Sequence, residues 1–281
     1  MGREDNVAVF KDTENFVKSN ARISEAVRNS TENQELFLEG DKLPEINRER
    51  YADNAKVVVS KKRSFEAAKA YAGTKTAVHN FASASNPGGG VVNGANAQEE
   101  CLCRCSGLYF SLSTQKMWDG FYGPHRNAHN PLHNDDLIYT PDVTVFKTDT
   151  ATPALMPESE WYDVDVITCA APNLRNIPSN RYNTGDGSMS VMIKDKDLLE
   201  LHIKRLRRIL DVAVLHGCDT VVLGAFGCGA FVNSPEIVAE TASTVIRDYL
   251  KAFKTIEFAV YCSPWDSTNF TTFERVLKPY C

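Results

Sequence analysis

The sequence contains no long apolar run. No stretch approaches the roughly 18 consecutive apolar residues that a membrane-spanning helix requires, and the segment Met1 to Asn6 lacks the apolar core of a secretory signal. A membrane-spanning protein and an exported one are therefore disfavoured. We expect a cytoplasmic protein with no membrane partner.

The eight cysteines do not follow a disulfide or zinc pattern. No Cys-x-x-Cys pair occurs, and Cys101, Cys103 and Cys105 follow one another at two-residue steps. On a helix, these steps turn Cys103 away from its two neighbours, so the three thiolates cannot gather around one zinc ion. Disulfides are also uncommon in cytosolic proteins. We expect reduced thiols that pack as small apolar side chains, and no bound metal.

Positive charge is in deficit. Lysine and arginine number 31 against 36 aspartates and glutamates, which gives a net charge of −5. Because nucleic-acid binding relies on a basic surface, we expect no direct binding to nucleic acid. The basic cluster Lys204 to Arg208 is interpreted as the solvated face of a helix. A polyanion would have to be held locally, by backbone N–H groups and helix termini.

Two common nucleotide-binding signatures are missing. No Gly-Lys-Ser/Thr follows a glycine run, and Gly227-Cys228-Gly229 is followed by Ala230-Phe231-Val232 instead of completing Gly-x-Gly-x-x-Gly. A phosphoryl-transfer enzyme of the P-loop type and an ordinary nicotinamide dinucleotide fold are therefore disfavoured.

The chain does have the composition of a globular α/β protein. Its 281 residues are 43% hydrophobic and 24% charged, which suffices for a large buried core. Segments rich in β-formers alternate with helical ones, and this alternation predicts an α/β sandwich. We predict strands at 57–59, 76–83, 143–148, 164–170, 220–226 and 256–262, and helices at 65–72, 97–112, 198–216, 235–253 and 267–277.

The first part of the chain has a different pattern. Residues 13–34 carry apolar side chains at helical spacing among charged ones, and 43–54 is polar with Pro44. The pattern predicts an N-terminal helical extension, residues 1–55, packed on a core domain of residues 56–281. We expect the two parts to form one structural unit.

One strand–helix junction has the composition of a site. The predicted strand 76–83 is followed by Asn86-Pro87-Gly88-Gly89-Gly90, and Gln98-Glu99-Glu100 then opens a helix. Three adjacent glycines remove every Cβ and allow positive φ, so backbone N–H groups can turn toward an anion. Adjacent helical residues point about 100° apart. The two glutamates therefore cannot do the same job.

A second glycine-rich loop follows the same plan. Gly224 to Phe231 comes after the β-rich run Thr220 to Leu223 and before a helix for which Ser234 is a candidate cap and Pro235 the first residue. Loops at the carboxyl ends of neighbouring strands converge on one crevice in open α/β sheets. Two such loops could clamp a diphosphate from both sides.

The insertion 116–136 contains His125, His129 and His133. Three histidines at four-residue steps would share one helical face and could bind a metal. Pro131 and the Gly123-Pro124 pair make a continuous helix doubtful, so we interpret the three histidines as solvent-exposed loop residues.

Four elements together resemble the microbial type of poly(ADP-ribose) glycohydrolase. The Gly-Gly-Gly/Gln-Glu-Glu pair is followed, in the family's order, by Ile138 to Phe146, Ala170 to Asn173 and Gly224 to Asn233. The resemblance runs along the chain and implies a macrodomain-like three-layer α/β/α sandwich with a mixed central sheet. Phe226 stands where the family more often has Trp, and Ser234 where Asp is usual.

The resemblance implies hydrolysis of the ribose–ribose O-glycosidic bonds of poly(ADP-ribose), with release of ADP-ribose and without a cofactor. Glu100 would be the catalytic acid and Glu99 would orient the distal ribose, helped by Asn86, while Phe231 packs against that ribose. ADP-ribosylated proteins would be partners. The other implied ADP-ribose-binding residues are Gly88, Gly89, Gly90, Val91, Gln98, Gly227, Cys228, Gly229, Ala230 and Asn233.

Several alternatives stay open at this point. The same cleft could serve a hydrolase that removes single ADP-ribose groups from protein or nucleic acid, and only the leaving group that fits beside Glu100 separates the two. A non-catalytic reader of ADP-ribose has no need of two glutamates. By position, Ser64 and Phe65 are the candidate adenine contacts.

Overall fold

The computed structural model describes residues 2–180, 183 and 185–281. The strands found there are β1 Glu35–Phe37, β2 Lys56–Ser60, β3 Thr76–Ala82, β4 Leu137–Val145, β5 Tyr162–Ala170, β6 Thr220–Leu223 and β7 Thr255–Ala259. They form one sheet in the order β1-β4-β5-β3-β6-β7-β2. The sheet is mixed, because β4 runs antiparallel to β1 and β5 while the other neighbours are parallel.

Helices cover both faces of the sheet. They are α1 Arg3–Ser19, α2 Ala21–Glu32, α3 Ser64–Lys69, α4 Gln98–Cys105, α5 Leu108–Leu112, α6 Gln115–Met117, α7 Gly123–Ala128, α8 Asp195–Leu215, α9 Pro235–Ile246 and α10 Thr268–Leu277, with a π-helical turn at Trp118–Tyr122. None of these helices is long and apolar enough to cross a membrane.

Successive strand residues point to opposite faces of the sheet. Val221 joins a buried cluster with α8, α9 and α10, whereas its neighbour Val222 joins another with α3, α4 and α5. The predicted three-layer α/β/α sandwich with a mixed sheet is thereby confirmed.

The N-terminal segment is more extensive than predicted. Its first helix begins at Arg3, ten residues before the predicted helical region, and Phe10 and Val17 bury its apolar face. The short strand β1, which we did not predict, pairs with β4. Asn6 Nδ2 donates to the Gly94 carbonyl at 3.1 Å, so α1 contacts the loop before α4. The boundary at residue 55 stays a prediction.

Three predicted elements were clearly wrong in extent, and one of them, the helix predicted at 235–253, ends at Ile246. The helix predicted at 97–112 breaks after Cys105, because Ser106 is extended and its hydroxyl accepts from the Leu108 N–H at 3.3 Å. The strand predicted at 143–148 begins at Leu137. Pro141 hid this strand in the sequence, and the structure accommodates it at a register shift between Thr140 and Val143.

The basic cluster 204–208 is not wholly a solvated face, which corrects the interpretation above. Arg205 is buried and its guanidinium donates to Asp135 Oδ1 at 3.1 Å and to the carbonyls of Ala170 and Leu132 at 2.9 and 2.6 Å. A buried cation requires such partners. Arg205 therefore fixes the loop before β4, while Lys204 lies exposed.

The interpretation of 116–136 as an exposed loop was also wrong. The segment is largely helical, and only His129 of its three histidines is exposed. His125 Nε2 lies 2.8 Å from Asn134 Oδ1, and His133 Nδ1 lies 2.8 Å from the Ala171 carbonyl. Within the described ranges, no group of three His, Cys, Asp or Glu side chains could hold a metal ion. The eight cysteine thiols are free.

Candidate active-site cleft

A cleft of about 760 Å³ lies at the carboxyl ends of β3, β6 and β7. Its volume falls within the range of about 300–1,000 Å³ that is typical of small-molecule sites. Gly89 and Gly90 of the first glycine loop and Gly227 and Gly229 of the second line it. The two loops therefore meet at one site, as the position of each after a strand predicted.

Both glutamates lie in the wall of this cleft, at the start of α4. Glu99 Oε2 accepts from the Ser83 N–H at 2.8 Å and its Oε1 accepts from Asn80 Nδ2 at 3.3 Å. Glu100 Oε1 accepts from the Gly90 N–H at 2.8 Å, and its Oε2 is buried without a hydrogen-bond partner among the described residues. Glu99 is thus held on both oxygens, and Glu100 on one.

Burial changes the acidity of this pair. Glu99 is 2% exposed and Glu100 7%. Desolvation raises the pKa of both carboxyls, and the neighbouring charge of Glu100 raises the pKa of Glu99 further. The Gly90 N–H and the Arg104 guanidinium oppose part of the shift at Glu100. A carboxyl with a raised pKa keeps its proton nearer to neutral pH, which a general acid requires.

Gln98 secures the start of α4 against β3. Its Oε1 accepts from the Phe81 N–H at 2.8 Å, and its Nε2 donates to the His79 carbonyl at 2.8 Å and to Ser64 Oγ at 2.9 Å. These bonds join the strand and the helix that flank the first glycine loop. They therefore hold both glutamates at a fixed distance from the sheet.

The Asn233 side chain stabilises the conformation of the second loop. Asn233 Nδ2 donates to the carbonyls of Pro172 at 2.7 Å and Gly227 at 3.1 Å, and its Oδ1 lies 2.9 Å from His202 Nε2. Gly227 has φ +79° and no room for a Cβ, which would lie 2.6 Å from the Asn233 amide. The loop shape therefore depends on this glycine and this asparagine together.

The predicted site residues divide into two groups. Those that line the cleft are Glu99, Glu100, Gly89, Gly90, Gln98, Gly227, Gly229, Ala230 and Phe231. Asn86, Gly88, Val91, Cys228 and Asn233 do not line it. Val91 is fully buried, and Asn233 stabilises the second loop through its side-chain hydrogen bonds without lining the cleft. Ser234 caps α9 by accepting from the Ile237 N–H at 3.5 Å, as predicted.

Asn86 links the first glycine loop to a further segment. Its Oδ1 accepts from Arg126 Nη1 at 2.8 Å, and its Nδ2 donates to Asn183 Oδ1 at 3.1 Å. Asn183 lines the cleft, together with Arg175 and Asn180. The segment that follows β5 therefore forms part of the cleft wall, and the sequence analysis did not assign it to the site.

Three further residues of the cleft were also missed. Arg63 stacks its guanidinium over the Tyr261 ring, 4.1 Å from the ring centroid. Asp149 is buried, and its Oδ2 accepts from the Phe65 N–H at 3.1 Å while its Oδ1 has no hydrogen-bond partner among the described residues. Burial raises the pKa of Asp149 to about 6. All three residues line the cleft. Asp149 and Tyr261 lie a few residues after the ends of β4 and β7, and this position after a strand is the sequence signal that could have identified them.

Of the two candidate adenine contacts, Ser64 lines the cleft. Phe65 is fully buried in the core, so its ring has no face left for a base. Ser64 is also the first residue of α3, and the helix is capped at Arg63, whose N–H donates to Glu66 Oε2 at 3.1 Å.

The chain resembles proteins of known structure over almost its whole length. A family model described as microbial-type PARG, catalytic domain, matches residues 5–148. The poly(ADP-ribose) glycohydrolase of Thermomonospora curvata is 30% identical, with a TM-score of 0.79, and the match covers 97% of this chain and 99% of that one. The enzyme of Deinococcus radiodurans in complex with ADP-ribose is 33% identical, with a TM-score of 0.74 and coverage of 91% and 98%. Comparison with curated protein sequences found no significant match.

The three-layer sandwich and its buried glutamate pair define a macrodomain-like glycoside hydrolase. More particularly, the chain belongs to the microbial-type poly(ADP-ribose) glycohydrolase family. The predicted family, fold class and glycosidic hydrolase activity are thereby confirmed.

Proposed function

We propose that this chain releases ADP-ribose from poly(ADP-ribose) with Glu100 as the general acid and base. The observation that carries this assignment is the asymmetry of the Glu100 carboxyl. Its Oε1 is held by the Gly90 N–H, whereas its Oε2 has no partner among the described residues and belongs to a side chain in the cleft wall. A buried carboxyl oxygen with no donor beside it favours the protonated form of Glu100, the form in which a general acid acts.

The reaction follows from the raised pKa of Glu100. The protonated carboxyl donates to the departing ribose hydroxyl as positive charge develops at the anomeric carbon of the distal ribose. The carboxylate that remains then removes a proton from the attacking water. General acid–base catalysis of this kind accelerates reactions by about 10²–10⁴-fold.

Glu99 has a different task in this proposal. Because the Ser83 N–H and the Asn80 amide fix both of its oxygens, it is oriented before substrate binds and can accept hydrogen bonds from the hydroxyls of the distal ribose. Phe231, which lines the same cleft, packs against that ribose. Orientation of the reacting carbon next to Glu100 lowers the entropic part of the barrier.

The two glycine loops bind the diphosphate. The backbone N–H groups of Gly229 and Ala230 donate to no acceptor within the described part of the chain, and both residues line the cleft. Gly89, which lines the cleft, has φ +60° and no side chain, so a phosphate can approach the backbone of the first loop closely. Backbone donors suit a protein that has no excess of positive charge.

The adenine lies at the end of the cleft formed by Arg63, Asp149 and Tyr261. Tyr261 is half exposed and offers a ring face beside the Arg63 guanidinium, a pair on which a purine stacks favourably. Asp149 lines the same end, and its buried Oδ1, which accepts no hydrogen bond from the described residues, is the acceptor we propose for the exocyclic amino group of adenine. ADP-ribosylated proteins in the cytoplasm are the proposed carriers of the polymer.

Release of ADP-ribose from purified poly(ADP-ribose) tests the assignment. Glu100→Gln should lose at least 100-fold in kcat and retain ADP-ribose binding, whereas Glu240→Gln, a change at an exposed position on α9, should match the wild type. Unchanged turnover in Glu100→Gln would remove Glu100 from the mechanism. Release from mono(ADP-ribosyl)ated protein, in place of polymer, would favour the single-group hydrolase, and binding without release a reader.

A further inference from the structure

A turn beside the cleft presents an exposed tryptophan. The Asp266 N–H donates to the Ser263 carbonyl at 3.3 Å and to Ser263 Oγ at 3.1 Å, which places Pro264 and Trp265 at the two central positions of the turn. Asp266 Oδ1 accepts from the Thr268 N–H at 2.9 Å. These hydrogen bonds fix the backbone of the turn, while the Trp265 side chain is 91% exposed.

Basic residues lie against the same segment. Lys61 Nζ is 4.7 Å from the centroid of the Phe270 ring, and the Arg63 guanidinium is 4.1 Å from that of Tyr261. These two contacts hold Lys61, Lys62 and Arg63 next to the segment that carries Trp265, on both sides of its turn. Three consecutive cations are notable in a chain of net charge −5. The one carboxylate in the turn, Asp266, is occupied by its bond to Thr268.

This region is continuous with the cleft. Arg63, Tyr261 and Asn269 line it; Arg63 and Tyr261 belong to the loops after β2 and β7, and Asn269 lies in the first turn of α10. In the sheet order, β7 is two strands away from β3, whose loop leads to the glutamates. At about 4.8 Å between strands, the region therefore lies about 10 Å or more from the reacting end.

We propose that Lys61, Lys62 and Trp265, the rim platform, bind the ADP-ribosyl unit that follows the one in the cleft. This inference rests on the proposed function and its placement of adenine. The indole stacks on the purine of the neighbouring unit, and the two ammonium groups attract its diphosphate. An exposed aromatic ring beside cations is the usual means of holding a polyanion with bases. A chain bound this way continues past the adenine end, so the enzyme also cuts within the polymer and releases oligomers.

The affinity of an inactive variant for poly(ADP-ribose) tests whether the rim platform binds the polymer. In the Glu100→Gln background, Trp265→Ala should weaken binding of long poly(ADP-ribose) about tenfold and leave the affinity for ADP-ribose unchanged. Trp265→Phe should restore most of the loss, and Leu155→Ala, which removes another exposed apolar side chain, should have no effect. Replacing Lys61 and Lys62 by Gln should reduce the salt dependence of polymer binding.

Turnover supplies the second measurement. With Glu100 intact, Trp265→Ala should release fewer oligomers from long polymer and cleave a dimer of two ADP-ribosyl units at the wild-type rate. Equal polymer affinity in the Trp265 variants, or a wild type that releases no oligomers, would overturn the rim platform. Failure of the wild type to cleave even the dimer would instead refute the proposed function.

Discussion

Glu100 lies so close to Gly89 that no room remains for a side chain at residue 89. A Cβ on Gly89 would lie 2.5 Å from Glu100 Oε1 and 3.1 Å from Glu99 Oε2. Gly89 also has φ +60°, which disfavours residues with a side chain. The absence of a side chain at residue 89 thus allows both carboxyls to approach the backbone of the loop that binds the substrate.

Gly89→Ala should therefore lower activity about 100-fold without unfolding the protein. The added methyl group displaces Glu100 Oε1 from the Gly90 N–H, and a shift of about 1 Å at a catalytic group costs about 100-fold in rate. Turnover of poly(ADP-ribose) and circular dichroism measure the two effects. Gly40→Ala is the control, because a Cβ there meets open space. Wild-type kcat in Gly89→Ala would contradict the proposed position of Glu100.

Glu99→Gln should gain stability relative to wild type as pH rises, while it impairs catalysis. The pKa of Glu99 rises on folding from its ordinary value of 4.5, so above that pH the folded state binds more protons than the unfolded state. The free energy of unfolding then falls by up to about 1.4 kcal/mol per pH unit as pH rises. Glutamine does not titrate, so the variant lacks this pH-dependent loss of stability.

Urea denaturation of wild type and Glu99→Gln between pH 5 and pH 8 checks this linkage. The stability of the variant relative to wild type should increase with pH, and kcat should drop because the ribose loses an acceptor. A difference in free energy that stays constant across this pH range would show that Glu99 is not protonated in the folded state.

Acid should destabilise the fold through His79. Its ring is buried between Phe81 and Phe226, at centroid distances of 5.0 and 4.4 Å, and its Nε2 finds no partner among the described residues. Burial lowers the pKa of His79 from 6.5 to about 3. Between these values the unfolded state binds the extra proton, so stability is lost as pH falls below about 6.5, by about 1.4 kcal/mol per pH unit.

His79→Phe should remove this sensitivity. The variant's free energy of unfolding, relative to wild type, should grow as pH is lowered from 6 to 4, in the opposite direction to the Glu99 effect. His129→Asn, an exposed position with φ 47° that Asn tolerates, should leave the pH dependence unchanged. Parallel curves for wild type and His79→Phe would disprove the assignment.

Arg104 should act as a positioning residue for the start of α4. It is 1% exposed, and its guanidinium donates to the Ala95 carbonyl at 2.7 Å and to Asn96 Oδ1 at 2.6 Å. Arg104→Met fills a similar volume but loses both charge-assisted bonds, which should cost about 2–4 kcal/mol of stability. Because the loop before the glutamates loosens, kcat should also fall.

Chemical denaturation and turnover assays check the Arg104 prediction. Arg207→Met removes an exposed arginine paired with Asp248 and should change stability by less than about 1 kcal/mol. A loss of stability in Arg104→Met with unchanged kcat would limit Arg104 to a purely structural role.

Local sequence determined the first glycine loop and the position of its glutamates. Glycines that follow a β-rich run, and acidic residues that open a helix, act through the conformations of a few neighbouring residues. For this reason the strand–loop–helix order and the convergence of the two loops were readable from the chain. The resemblance to a family added the proposed roles of Glu99, Glu100 and Phe231, which spacing could not supply.

Tertiary structure alone decided which groups are buried and which face the ligand. Arg63, Asp149 and Tyr261 come from distant parts of the chain, and no local pattern records that they meet. The burial of His125 and Arg205 likewise depends on partners in other loops. Glu100 Oε2 and Asp149 Oδ1, which have no hydrogen-bond partner among the described residues, were also beyond prediction, because an unpaired atom is defined only by everything packed around it.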